Sequence, residues 1–209
     1  MPIEAVVFDF GGVIITPITN KLAVLAERHG CSVTTMLEVL MGPRHDSTDH
    51  PWHRSERGEI RMNAVQADLG PWADAAGIAL DGDEIDVLMD AVTYSYVEPV
   101  LDKLRQLATS RYRLGLLTNV NHDFRPTLEA ELDLSLFDAV IDSAQEGIRK
   151  PEPAIYELTE QRLGCTGDAI VYLDDFDHNL GPAQARGWTT IHVTDPVAAL
   201  GELDRLIQI

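Results

Sequence analysis

The chain carries two kinds of hydrophobic pattern. Residues 3–8, IEAVVF, form a short apolar run rich in β-branched side chains, and DFGG follows at once. That combination predicts a buried strand stopping at a turn. Between 20 and 92 the apolar positions recur at helical spacing instead. NKLAVLAERHG ends at Gly30, SVTTMLEVLMG is opened by a capping Ser or Thr and closed by Gly42, and MNAVQADLG and DEIDVLMDAV complete the set. The polar stretch PRHDSTDHPWHRSERGEI separates the second of these helices from the third.

From residue 99 the two patterns alternate. PVLDKLRQLATS is helical and YRLGLLTN is a strand; DFRPTLEAELDL is helical and FDAVIDS a strand. EPAIYELTEQRLG is a helix ending at Gly164, AIVYLDD a strand, HNLGPAQARG a helix, TTIHV a strand and PVAALGELDRLI a final helix. Such alternation defines βαβ units, hence an α/β fold whose parallel sheet is covered on both faces. The first strand belongs to that sheet. The all-helical block 17–97 is therefore expected to be a helical cap inserted after it, with 1–16 and 98–209 as the core. At 209 residues, 45% of them hydrophobic, the chain can bury one core with a modest insert.

Charge narrows the ligand classes. Thirty-four acidic residues against 16 basic ones give a net charge of −18, a field that repels nucleic-acid backbones. It also repels small anions, so a phosphate site has to be a local exception built from backbone N–H groups, a Lys or a metal. The two cysteines, Cys31 and Cys165, are far apart and in no CxxC pattern, which predicts reduced thiols and a cytoplasmic protein. No apolar run is long enough to span a membrane. The N-terminal apolar run lacks a basic lead and a small-residue cleavage site, so it is expected to be a strand rather than a signal peptide.

In open α/β sheets ligands sit outside the carboxyl ends of the strands. Strand one ends at Asp9, the RLGLL strand at Thr118 and Asn119, and the AIVYL strand at Asp174 and Asp175. Lys150 follows the FDAVIDS strand, and Pro151 and Pro153 around Glu152 fix the entry to the next helix and so aim it. Three carboxylates in one cleft repel one another unless a cation holds them, and a hard cation with oxygen ligands, most simply Mg²⁺, fits. Lys150 adds a second positive charge, Thr118 a hydroxyl, and the helix N-terminus after Asn119 a set of N–H donors for an anion. The Gly11–Gly12 pair lets backbone approach the metal closely. Around a free carboxylate these groups make a phosphate site with Asp9 as nucleophile.

The motifs VVFDFGGVI, LGLLTN, RKPEPAIY and VYLDDFDHNLGPAQARGWTTIHV resemble those of the haloacid dehalogenase-like hydrolases. The style of KPEPAIY, of LDDFDHNLGPA and of ERGEI in the cap is similar to the phosphatase-like N-terminal domain of soluble epoxide hydrolases. The resemblance implies a Rossmann-like, three-layer α/β/α core with a helical cap, and Mg²⁺-dependent phosphoryl transfer through an aspartyl-phosphate. It implies Asp9 as nucleophile, with Thr118 and Asn119 holding the phosphoryl group. It implies Lys150 as the neutralising cation, and Asp174 and Asp175 as metal ligands, directly or through water. Asn179 either orients the loop carrying these acids or caps a helix.

One position departs from the pattern. Phosphatase members of the family usually carry Asp two residues after the nucleophile; its carbonyl binds Mg²⁺ and its side chain serves as general acid and base. Gly11 keeps the carbonyl and lacks the carboxyl. A general acid or base contributes roughly 10²–10⁴-fold. The expectation is a slow phosphatase of a small phosphorylated metabolite, or one limited to good leaving groups, or one with a substitute acid from the cap.

The cap stretch offers His45, Asp46, Asp49, His50 and His53 for that role, although its spacing matches no strong metal signature. It is read as a solvated loop anchored by Trp52, with Trp52 and Arg54 as specificity contacts. His122 and Asp123 stand either at a helix start or in the site. Trp52 and Trp72 suit a homodimer interface or a cap core equally. Two other readings remain: a non-catalytic HAD-fold binding protein, and a metal-independent haloacid dehalogenase, against which the Asp174–Asp175 pair argues.

Overall fold

The structure, a computed structural model, describes residues 2–80 and 94–207. Five parallel strands, β1 (Ala5–Phe8), β2 (Arg113–Thr118), β3 (Ala139–Asp142), β4 (Ile170–Asp174) and β5 (Thr189–His192), form one sheet in the order β3-β2-β1-β4-β5. The order puts β1 at the centre, with β2 and β4 on its two flanks. Phe8 registers with Leu116 on one side and Leu173 on the other, so the chain leaves β1, β2 and β4 at one end of the sheet.

The central strand is apolar throughout because both of its faces are covered. Val6 and Phe8 point into one core cluster with Val100, Leu104 and Leu107 of helix Glu98–Ala108 and Leu203 of helix Pro196–Ile207. Ala5 and Val7 point the other way, against Ile155, Tyr156 and Leu163 of helix Pro153–Leu163 and Leu180 and Ala183 of helix Asp177–Ala185. Helix, sheet and helix thus make three layers. Leu104 is fully buried, and its truncation to Ala is expected to cost about 2–5 kcal/mol.

A third apolar cluster belongs to the helices between 19 and 75, drawing Leu22, Met36, Leu40, Trp52, Val65 and Leu69 together. Ser32 caps helix Val33–Met41 by accepting the Thr35 N–H at 3.0 Å. The chain enters and leaves this helical region side by side: Ile15 bridges Tyr96, Thr16 N–H donates to Ser95 O and Val97 N–H donates to Ile14 O. The DEIDVLMDAV helix lies outside the described residues.

The polar stretch differs in part from expectation. Residues 43–49 are a loop with His45, Asp46 and Asp49 exposed, as expected, but Pro51–Glu56 form a helix in which Trp52, His53, Ser55 and Glu56 are buried. His50 Nδ1 accepts the Trp52 N–H at 3.1 Å and His53 Nδ1 accepts the Thr48 N–H at 3.0 Å. Each imidazole therefore carries its proton on Nε2, and His50 donates it to Val39 O at 3.2 Å. His50, His53 and Ser55 go inside because the backbone supplies their partners, and Glu56 because Trp52 and Arg149 do. Two further short helices, Gly70–Ala75 and Ser143–Glu146, fall where no helix is predicted, the second capped by Asp142. Both cysteines are free thiols, Cys165 buried and Cys31 partly so.

Candidate active site

Three strand ends place their acids together. One carboxylate oxygen from each of Asp9, Asp174 and Asp175 lies within 4.8 Å of the others. Lys150, 1% exposed, reaches them from the loop after Ser143–Glu146. Its ammonium donates to Asp9 Oδ1 at 2.8 Å, to Asp174 Oδ2 at 2.7 Å and to the Tyr172 hydroxyl at 3.1 Å. Those three acceptors satisfy its three donors, so the buried charge stays paired and its pKa is raised by the two carboxylates.

The backbone of Lys150 is clamped as well. Asn119 Oδ1 accepts its N–H at 2.8 Å and Asn119 Nδ2 donates to its carbonyl at 3.0 Å. The Asn119 side-chain amide is thus spent on aiming Lys150, and the residue also lines the cavity over the acids. Thr118, 3% exposed, closes β2 beside it.

The carboxylates divide into a held one and two freer ones. Asp174 accepts the Phe176 N–H at 2.8 Å and the Asn179 amide at 3.0 Å, and is also bound by Lys150 and the Tyr172 hydroxyl. Asn179 therefore orients this loop, and Tyr156 in turn holds Asn179 O at 2.7 Å. Asp175 Oδ1 is buried with no hydrogen-bond partner. Desolvation, with repulsion from neighbouring carboxylates, pushes the pKa of Asp9 and of Asp175 upward. Gly12, at φ +68°, makes room for this acid: a Cβ there would stand 2.1 Å from Asp175 Oδ2. An unsatisfied buried oxygen, mutually repelling acids and an all-oxygen donor set fit a hard divalent cation such as Mg²⁺. At Gly11 a Cβ would meet nothing within 4 Å.

A cavity of about 70 Å³ lies over this cluster. Asp9, Asn119, Lys150 and His178 line it from the sheet end and the loops around it, Trp52, His53 and Glu56 from helix Pro51–Glu56. It has room for a few waters and falls far short of the ~300–1,000 Å³ usual for metabolite pockets. A buried ion pair closes it: Arg149 Nε donates to Glu56 Oε2 at 2.7 Å, while Trp52 Nε1 donates to Glu56 Oε1 at 2.8 Å.

Other predicted positions lie elsewhere. Arg54 turns to Glu59 at 3.2 Å and does not line the cavity. His122 packs beside Gly58, also away from it. Asp123 accepts the Met62 N–H at 2.8 Å and so caps a helix of the cap region, while Asn121 caps its own turn. Trp52 is buried in the cap core; Trp72, 38% exposed, sits against the His50 ring at 4.5 Å. Sequence reasoning missed Arg149, Glu56 and His178. Glu56 and Arg149 stood inside quoted motifs, but pairing across 93 positions leaves no local signal.

Fold and acid cluster are those of a phosphoryl- or halide-displacing hydrolase class. The haloacid dehalogenase-like hydrolase model matches residues 3–185, and the chain belongs to that family. It is 30% identical over 207 residues to acyl-CoA dehydrogenase family member 10 of Mus musculus, covering 98% of this chain and only 19% of that protein. Sesquiterpene phosphatase astK of Aspergillus oryzae is 28% identical over 98% of this chain and 96% of its own length. Bifunctional epoxide hydrolase 2 of Rattus norvegicus is 44% identical over 34% of this chain and 13% of its own.

Among solved structures, an L-2-haloacid dehalogenase superposes with TM-score 0.69 at 22% identity over 100% of both chains. A HAD family enzyme of Bacteroides thetaiotaomicron in complex with magnesium and inorganic phosphate superposes with TM-score 0.61. It is 18% identical over 90% of this chain and 93% of that one. Both likenesses concern the fold.

Proposed function

We propose that the protein is an Mg²⁺-dependent phosphatase of a small phosphorylated metabolite, with residues 17–97 as a cap over the core. The observation that carries this is Lys150 bridging Asp9 and Asp174 beside the unpartnered Asp175 Oδ1. Asp9 and Asp175, with the Gly11 carbonyl, would hold the ion; Asp174 has its donors already and serves as the anchor of Lys150. When bound, the cation neutralises the acids and draws charge from the phosphoryl oxygens.

Asp9 attacks phosphorus through its carboxylate; burial raises its pKa to about 7, and the Lys150 ammonium opposes that shift and favours the ionised, attacking form. Thr118 ends β2 at the same end of the sheet, where its hydroxyl would receive a phosphoryl oxygen, while the Val120 N–H is already spent on Ser143 Oγ at 3.0 Å. Gly11 brings no proton to the departing oxygen. Turnover therefore favours leaving groups that are weak bases, such as aryl, acyl or sugar 1-phosphates. The sesquiterpene phosphatase relative supports the chemistry, not the substrate.

The test is hydrolysis of p-nitrophenyl phosphate and a matched alkyl phosphate, with Mg²⁺ or EDTA, by wild type and Asp9→Asn. Expected are Mg²⁺-dependent release, loss with EDTA and with Asp9→Asn, and a strong preference for the aryl ester. Metal-independent dechlorination of a 2-haloacid would instead assign the protein to the dehalogenases. Equal rates on both esters would remove the role given to Gly11.

A further inference from the structure

The cavity over Asp9 contains a group that sequence reasoning did not use. Its protonatable lining residues, besides Asp9 and the cations, are Glu56, His53 and His178. Glu56 spends both oxygens on Trp52 and Arg149. His53 accepts the Thr48 N–H on Nδ1, so its other ring nitrogen, Nε2, also buried without a partner, carries the proton and cannot accept one. His178 differs. It stands in the first turn of helix Asp177–Ala185, directly after the Asp174–Asp175 loop, and its side chain is only 6% exposed.

Its Nδ1 is buried without a hydrogen-bond partner. Asp177 Oδ1, on the same turn, lies 3.7 Å away, beyond hydrogen-bond reach. The cap packs the His45 ring against it at 5.7 Å, and Phe176 stands 5.3 Å on another side. The charged groups that bear on it are Asp174 and Asp177 from the core, Lys150 from the neighbouring loop and Arg44 from the cap. Burial keeps it neutral, with a pKa of about 4, which is the accepting form of the base.

We propose that His178 is the general base of the second half-reaction, standing in for the carboxyl that Gly11 lacks. This rests on the phosphatase reading above. In that step a water oxygen bonds to phosphorus and the bond from phosphorus to the Asp9 oxygen breaks. The electron pair returns to the Asp9 carboxylate, and the water proton passes to His178 Nδ1. Inorganic phosphate leaves, and the imidazolium returns its proton to solvent. A neutral imidazole gives no proton to the first leaving group, so the preference for weakly basic leaving groups is retained while the aspartyl-phosphate still turns over.

The experiment is rapid-quench hydrolysis of p-nitrophenyl phosphate with Mg²⁺ by wild type, His178→Gln and His178→Ala. Expected for both variants is an unchanged burst of p-nitrophenolate, one per active site, followed by steady-state turnover lowered by roughly 10²-fold or more. Phosphorylated Asp9 should accumulate and be visible by intact mass. Added imidazole should restore turnover of His178→Ala, and Gly11→Asp should restore it in His178→Gln. A fall in burst and steady state by the same factor, no effect of either variant, or no rescue overturns the proposal. A wild-type protein with neither burst nor turnover overturns the phosphatase reading itself, and that outcome is recognisable because Asp9→Asn then changes nothing.

Discussion

His50 and His53 should make the cap region acid-labile, by an amount that can be worked out. Both rings are fully buried, and each accepts a backbone N–H on Nδ1. Protonation would remove that acceptor and leave a charge without water. Burial accordingly lowers the pKa of His50 from 6.5 to about 4 and of His53 from 6.5 to about 3. The unfolded chain takes up a proton at each as pH drops below 6.5, and the folded chain does not, so stability falls with pH.

By pH 5 the gap to the unfolded value is 1.5 units, or about 2 kcal/mol per ring at ~1.4 kcal/mol per unit. The sum, about 4 kcal/mol, is a large part of a typical stability of ~5–15 kcal/mol. Below pH 4 the His50 share stops growing. Asp9 and Asp175 act with the opposite sign, because their raised pKa values let the folded protein bind protons first.

Their contribution cancels when urea denaturation of wild type is compared with His50→Asn and His53→Asn at pH 7, 6 and 5. Asn keeps an acceptor near the Nδ1 position and cannot titrate. Each variant should be weaker at pH 7 yet lose about 2 kcal/mol less between pH 7 and 5. An identical pH slope in wild type and the double variant would refute the reasoning.

Three further outcomes are expected. Gly11→Asp should fold normally, since its Cβ meets nothing, and should raise alkyl-phosphate turnover roughly 10²–10⁴-fold in steady-state assays. Gly12→Ala forces a Cβ onto Asp175 at a left-handed φ and should abolish Mg²⁺ binding by calorimetry while Gly11→Ala spares it. Because Asp9 and Asp175 hold protons more tightly than ordinary carboxylates, Mg²⁺ binding should release protons and weaken as pH falls. Titration calorimetry in buffers of different ionisation enthalpy measures that release.

The core was legible in the chain because sheet burial leaves a local trace. Ala5–Phe8 and Ile170–Asp174 must be apolar throughout when helices cover both faces, and the polar residue that ends each run marks the site. The helical region was legible only where its helices show an apolar stripe. Helix Pro51–Glu56 escaped that reading because His50, His53 and Glu56 are buried through specific acceptors and donors rather than through hydrophobicity. The side-chain amide of Asn119 also matches the Lys150 backbone, a match invisible until both strand ends are in place. His178 sat within a motif dominated by its acids, and nothing in spacing singles out which residue of a helix turn faces a cavity.

The paired crossings at Ile14–Thr16 and Ser95–Val97 bear on how a substrate enters. Entry and exit of the helical region share one short ribbon, so the two ends cannot drift apart. Among the described residues, further ties between the helical region and the core include Glu56 on Arg149, Asp123 on Arg61 and on the Met62 N–H, and His45 against His178. Such a tether behaves like a book's spine. Admission of anything bulkier than a phosphate group would then require the helical region to swing about that line and the Glu56–Arg149 pair to part.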